Sequence, residues 1–224
     1  CDRDPSQLAE VRGTGKSEIM VPADTVKIGI VAVSSSSKSS HAEHENTGKI
    51  NSIVSAVKDL GIKENNIKTE SYNLLPVWSS KPKDPSKSWK PAVVGYKISN
   101  SIRVQAHKLE KSGKIIETAI KSGADKISYV NFTVSRTSKY KNRVIAMALR
   151  KARKYAETIC SNSSPALTIS GVKNASLDNS YIRLDHRKYS NVMTTMQKSG
   201  SEPLKLNPGK IKLTARVSVT YLCE

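Results

Sequence analysis

The chain has 224 residues, of which 37% are hydrophobic, so it can form one large domain or two small ones around a modest core. No apolar run approaches the roughly 20 residues of a membrane-spanning helix. Lys and Arg number 37 against 19 Asp and Glu, which gives a net charge of +18. Such an excess favours polyanionic partners, whereas the dispersal of the lysines along the chain is typical of a uniformly solvated surface.

The three cysteines are Cys1, Cys160 and Cys223. A first-position cysteine with a polar tail behind it is similar to a processed bacterial lipoprotein, so we expect lipid on Cys1 and a flexible tail over residues 1–9. Cys160 ends a predicted helix, and Cys223 continues the inward-facing positions of the last predicted strand. In an oxidising compartment this pattern is compatible with a disulfide between them or with two buried free thiols.

The segment from Val11 to Asp24 contains Gly15-Lys16-Ser17, which invites comparison with a phosphate-binding loop. That loop requires another glycine five residues before Gly15, where Glu10 stands. It also requires a helix directly afterwards, and here a strand follows instead. The sequence therefore does not predict a nucleotide site.

Two segments repeat a strand–helix–strand pattern. The first contains a helix predicted over Ala42–Leu60, opened by Thr47-Gly48-Lys49-Ile50 and ended by Gly61, and the second contains a helix that ends at Gly123. Apolar residues alternate over residues 26–32, 96–106 and 130–134, which predicts strands there, and residues 67–75 are predicted to be extended. Two related β-α-β units of this kind predict a sheet with helices packed on one face.

Between residues 76 and 91 the chain makes an excursion rich in Lys, Pro and Ser. An aromatic residue among lysines can stack on bases or sugars or lie at a lipid interface, which makes Trp89, Lys87 and Lys90 candidates for an anion-binding surface. Trp78, just before this loop, is expected to pack back on the edge of the sheet.

The strongest predicted helix runs from Lys139 to Cys160 and has a broad apolar face rich in alanine. The opposite side carries a basic stripe, which either binds phosphates or is simply solvated; its residues are Lys139, Arg143, Arg150 and Lys154. Residues 178–208 form a second excursion without clear periodicity. In the last strand, from Ile211 to Tyr221, apolar and polar residues alternate, so one face of the strand is expected to be exposed to solvent.

The sequence predicts no reaction centre. It contains no Gly-x-Ser-x-Gly elbow, its carboxylates are scattered, and its histidines lack a further metal ligand at a motif spacing. We therefore expect no catalytic residue, no cofactor and no metal site, and we do not expect an enzyme.

The markers along the chain resemble the SIMPL-domain family, which includes bacterial periplasmic immunogenic and oxidative-stress-defence proteins. They are Val11-Arg-Gly13-Thr-Gly15 through Pro22 and Asp24, Gly61-Ile62, Asn66–Thr69, Leu75-Pro76, Gly95-Tyr96, Gly123–Ile127, the helix Ala146–Ala156 and Pro208-Gly209. The departures are Ala23 between Pro22 and Asp24, the basic loop Ser79–Lys90 and the segment Asp178–Pro203. On this basis residues 10–224 form a SIMPL-like domain with variable excursions at 76–91 and 178–208.

The resemblance implies an α+β fold with a mainly antiparallel sheet, secretion to the cell envelope and self-assembly into larger oligomers, and it supplies no catalytic residues. We expect a non-enzymatic protein of the periplasm or cell envelope, anchored through Cys1, with a general role in envelope or oxidative-stress tolerance. The alternative is a module that binds an acidic polymer, such as anionic lipid, polysaccharide or nucleic acid, through the basic surface. A specific nucleic acid partner is not expected.

Overall fold

The helices lie among the strands in the order that the sequence predicts. The computed structural model describes residues 8–82, 88–177, 183–185, 188–189 and 206–224. Its elements are β1 (Ala9–Pro22), β2 (Thr25–Ser36), α1 (Ser39–Asp59), β3 (Ile67–Trp78), β4 (Val93–Ala106), α2 (Ser112–Lys121), β5 (Lys126–Thr133), α3 (Thr137–Ser161), β6 (Ile169–Leu177), β7 (Arg183–Asp185), β8 (Lys188–Tyr189) and β9 (Lys210–Cys223). The predicted α+β class with antiparallel strands is confirmed, and the strands divide between two sheets rather than one.

The chain forms two compact units. In the first, β9 pairs with β1 along one edge and with β6 and β7 along the other, always antiparallel. Every second residue of β9 from Ile211 to Cys223 is buried, as its alternation predicts. Helix α3 covers this buried face of the sheet with Val144, Ala148, Ala152 and Ala156.

The second unit contains the two related β-α-β segments. Its sheet has the order β3-β4-β2-β5-β8, and all neighbouring strands are antiparallel. Exchanging β2 with β4 and β3 with β5 reverses the order of these four strands, so the two segments are related by an approximate two-fold axis. This is the split βαβ arrangement of ferredoxin-like folds. The predicted internal repeat is therefore a real structural repeat.

Most of this unit's core lies under α1 and α2. Ile28 and Ile30 of β2, Ile98 of β4 and Ile53 and Ile116 of the helices are all fully buried. The predicted start of α1 is wrong, because the helix begins at Ser39 and Gly48 lies inside it. Asn46 donates to the Ala32 carbonyl and Lys49 to the Val33 carbonyl, so side-chain bonds to β2 hold the first half of α1 in place.

Candidate functional site

The glycines of β1 allow α3 to lie directly on the strand. A Cβ atom on Gly15 would stand 1.9 Å from the Ala148 carbonyl oxygen, and one on Gly13 would stand 2.2 Å from that of Ala152. Two residues later, the Ser17 hydroxyl donates to the Val144 carbonyl at 2.5 Å. The Gly15-Lys16-Ser17 sequence thus serves helix packing within a strand and does not form a phosphate-binding loop.

Cys160 and Cys223 form a disulfide between the end of α3 and the end of β9. Both residues are 1% exposed, and 63 positions separate them in the sequence. Of the two alternatives compatible with the sequence, the structure contains the bonded pair. Cys1 lies outside the described residues, so its lipidation stays a prediction.

The basic stripe lies on the exposed side of α3. Its four residues fall within one angular sector of the helix, since their positions differ by close to whole turns. All four are exposed, and no described carboxylate lies within ion-pair distance of any of them. They are Lys139, Arg143, Arg150 and Lys154. The nearest acidic residue on the helix, Glu157, is paired with Arg153 at 2.7 Å.

The predicted loop candidates belong to the second unit, whereas the stripe belongs to the first. Lys90 is exposed, Trp89 is half-buried, and Lys87 lies outside the described residues. The indole Nε1 of Trp89 is buried and has no hydrogen-bond partner among the described residues. The Trp89 side chain is therefore only partly open to solvent.

The hairpin formed by β3 and β4 carries an exposed apolar surface that the sequence did not predict. Strand β3 forms one edge of its sheet, and its residues from Lys68 to Trp78 are all exposed. The apolar members on the two strands are Leu74, Leu75, Val77, Trp78, Val93 and Val94, which we call the hairpin surface. Trp78 is 56% exposed, so the expectation that it packs back on the sheet edge is wrong.

Three strands of the second unit are tied together by a charged cluster. The Tyr129 hydroxyl donates to Glu70 Oε1 at 2.7 Å, and Arg103 Nη1 lies 3.5 Å from the same oxygen. Partial burial, followed by the neighbouring Glu70 carboxylate, raises the pKa of Tyr129 well above its ordinary value. The phenol is thus held neutral, which suits a link between strands and does not suit a nucleophile.

A carboxylate, a hydroxyl and a histidine meet where β2 begins and β4 ends. Thr25 Oγ1 donates to Asp24 Oδ1 at 2.8 Å and lies 3.0 Å from His107 Nδ1. No sequence signal could have paired Thr25 with His107, because 82 positions separate them. Thr25 is 1% exposed and gives its only proton to Asp24, so its hydroxyl cannot act as a nucleophile on an outside substrate.

Among the described residues, no three His, Cys, Asp or Glu side chains converge in a way that could hold a metal ion. Within the same residues, none of the helices combines the length and the apolar character that a membrane span requires. The features of the described chain considered further are the basic stripe, the hairpin surface and the neighbourhood of His107.

These features define an α+β protein built from two sheet-and-helix units that expose charged and apolar surfaces. The model of the SIMPL family, described as a protein of unknown function (DUF541), matches residues 11–221. The chain therefore belongs to the SIMPL family, which confirms the resemblance found in the sequence.

Two curated relatives are similar over part of the chain. The 26 kDa periplasmic immunogenic protein of Brucella melitensis biotype 1 is 23% identical over 156 residues, which cover 68% of this chain and 62% of the relative. The protein of the same name from Brucella abortus (strain S19) is 22% identical over the same shares of both chains. The match thus spans less than two thirds of the relatives' own length.

Proposed function

We propose that this protein is a non-enzymatic component of the bacterial periplasm that assembles with copies of itself and supports envelope or oxidative-stress tolerance. Membership of the SIMPL family and the periplasmic relatives support the location. The assembly is supported by one observation above all, the hairpin surface on a sheet edge with which no described strand pairs.

The hairpin surface lacks the charged side chains that protect many edge strands from pairing, although Pro76 and two register shifts interrupt β3. No charged side chain occurs from Ser71 to Trp78, and no described strand pairs with the outer edge of β3. Leu75 is 62% exposed and Trp78 is 56% exposed. A long, uncharged, apolar edge of this kind is a template for pairing with another chain.

A second copy of the chain is the occupant that suits this edge best. Two antiparallel β3 strands related by a two-fold axis would present the same groups to each other, so the surface is self-complementary. Pro76 has no N–H to donate, which limits backbone pairing to the part of β3 before it. The apolar side chains beyond Pro76 would then supply contact area without further backbone hydrogen bonds.

Light scattering coupled to size exclusion tests the assembly. The variant Leu75→Lys/Trp78→Lys places two charges on the hairpin surface, and we expect its mass to fall to that of a monomer. The matched control is Tyr155→Lys/Val172→Lys, in which two apolar residues of similar exposure, 56% and 57%, gain the same charges. The control should keep the wild-type mass. A monomeric wild type, or a hairpin variant as large as the wild type, contradicts the proposal.

The stress role is tested in the source organism. Deletion of the gene should raise sensitivity to peroxide, and the wild-type gene should restore tolerance. The hairpin variant should restore it less well than the control variant if assembly matters for the role. The anchor predicted at Cys1 stays a separate prediction, which mass spectrometry of the native protein tests by the presence or absence of lipid on that residue.

The second candidate function is binding of an acidic polymer through the basic stripe. It is favoured by one observation, namely that four exposed cations on α3 have no described carboxylate partner. Binding of this kind releases counterions, so its affinity should fall steeply with salt concentration. Binding that does not respond to salt contradicts this candidate.

A further inference from the structure

A cavity in the second unit lies beside the C-terminal end of α1. Its volume is about 430 Å³, which is within the usual range of small-molecule sites. It is lined by Gly61–Lys63, by Asn65 and Asn66, by Gln105 and Ala106 at the end of β4, by His107 and Lys108 just after it, and by Lys111. All of these residues belong to one unit, so the cavity is formed within that unit.

The lining of this cavity is basic and holds no acid. Lys63, Lys108 and Lys111 contribute three ammonium groups, and none of its described lining residues is Asp or Glu. The neighbouring Glu64 carboxylate is paired instead with Lys58 at 3.0 Å. Lys111 Nζ donates one hydrogen bond to the Leu60 carbonyl at 2.7 Å, which fixes the amine and leaves two donors.

The buried hydroxyl of Thr25 positions the His107 ring at this cavity. Because Thr25 Oγ1 donates its only proton to Asp24, it can only accept from His107 Nδ1, 3.0 Å away. The ring therefore carries a proton on Nδ1, and Nε2 is the nitrogen that remains for a ligand.

From this geometry we propose that the cavity binds a phosphoryl group, carried by a small phosphate monoester or by a lipid headgroup. Three ammonium groups and the carboxamides of Asn65, Asn66 and Gln105 provide more donors than a single carboxylate can use. A phosphoryl dianion has three acceptor oxygens and the charge to match. This inference does not depend on the proposed assembly, because the cavity lies among residues that the hairpin variant leaves unchanged.

Calorimetry and amide NMR titrations with inorganic phosphate and with glycerol 3-phosphate test the site. The variant Lys63→Gln/Lys108→Gln removes two cavity charges, and the control Lys97→Gln/Lys126→Gln removes two charges from exposed positions of the same unit. We expect saturable binding to the wild type, a Kd raised roughly tenfold or more in the cavity variant, and little change in the control. Equal losses in both variants, or no saturable binding of any probe, overturn the proposal.

Vesicles separate the two sources of the phosphoryl group. The probes are phosphatidylcholine vesicles with and without phosphatidic acid. Binding of glycerol 3-phosphate that the cavity variant loses supports a soluble ester. Binding to phosphatidic acid vesicles alone, lost in the cavity variant and kept in the control, supports a lipid headgroup. Vesicle binding that both variants lose equally reflects total charge and counts against the site.

The role of Thr25 has a readout of its own. The variant Thr25→Val removes the acceptor for the Nδ1 proton, whereas Thr25→Ser keeps it. Long-range ¹H–¹⁵N spectra of the His107 ring should show the proton on Nδ1 in the wild type and in Thr25→Ser, and should show its loss in Thr25→Val. Identical ring spectra in all three proteins overturn the positioning role.

Discussion

Gly15 and Ser17 show how single side chains set the distance between a strand and a helix. Successive inward-facing residues of β1 are about 6.6 Å apart, and every fourth residue of a helix advances about 6 Å. Two residues along β1 therefore cover nearly the same distance as four residues along α3. Gly15 meets Ala148 in this register, and Ser17 meets Val144.

The first prediction uses one substitution at two glycines. Gly15→Ala should lower the free energy of unfolding by about 3 kcal/mol or more, because its new Cβ would stand 1.9 Å from a backbone oxygen that cannot move alone. Gly48→Ala should raise it by up to about 1 kcal/mol, because Gly48 lies inside α1 with nothing within 4 Å of a new Cβ.

Urea denaturation of both variants, with circular dichroism as the signal, measures the two changes. Opposite signs support the packing role of Gly15. A Gly15→Ala protein as stable as the wild type contradicts it. If Gly15→Ala does not accumulate in folded form while Gly48→Ala does, the result agrees with the prediction.

The disulfide is the covalent link between α3 and β9, and its effect on stability follows from the length of chain it closes. With 63 positions between Cys160 and Cys223, the cross-link removes many conformations from the unfolded state. The variant Cys160→Ala/Cys223→Ala should therefore unfold at a lower denaturant concentration. Its free energy of unfolding should be about 2–4 kcal/mol smaller than that of the wild type.

Chemical denaturation with and without a reductant checks this value. The reductant should destabilise the wild type and leave the stability of the double variant unchanged. The double variant thus also serves as the control for side effects of the reductant. A thiol assay on the unfolded, unreduced wild type should find neither Cys160 nor Cys223. Reactive thiols from both residues would contradict the bond.

Most strands could be predicted, because a strand that is buried on one face has an apolar residue at every second position. Strand β9 is the clearest case, since its buried and solvated positions alternate over its whole length. Strand β3 has no such alternation of apolar and polar residues, because nearly all of its residues are exposed and it has no buried face. For the same reason the exposure of Trp78 could not be foreseen from the sequence.

The candidate surfaces were only partly predictable from the sequence. The basic stripe could be predicted, because residues on one side of a helix recur at a fixed spacing along the sequence. The cavity beside α1 could not, because its lysines, carboxamides and His107 come from separate segments that only the fold brings together. Sequence periodicity reports which side of an element is buried, and it carries no information on which loops meet.

The net charge of +18 leaves two explanations of any binding to polyanions. Either the total charge attracts the polymer, as it would for any strongly basic protein, or the stripe on α3 holds it at one place. The helix itself contains seven Lys and Arg and a single Glu, so its local field is stronger than the average of the surface. The two explanations differ in how they respond to charge removed at chosen positions.

The last prediction separates these explanations with two variants of equal charge. One changes Lys139, Arg143, Arg150 and Lys154 to Gln, and the other changes Lys68, Lys97, Lys126 and Lys210, which are also exposed. Each lowers the net charge of +18 by four. Binding to heparin and to anionic vesicles is measured over a series of salt concentrations. If the stripe holds the polymer, only its variant should lose affinity and show a salt slope reduced by roughly three to four. Equal losses in both variants would assign the binding to total charge, because the two proteins then differ only in where the charges were removed.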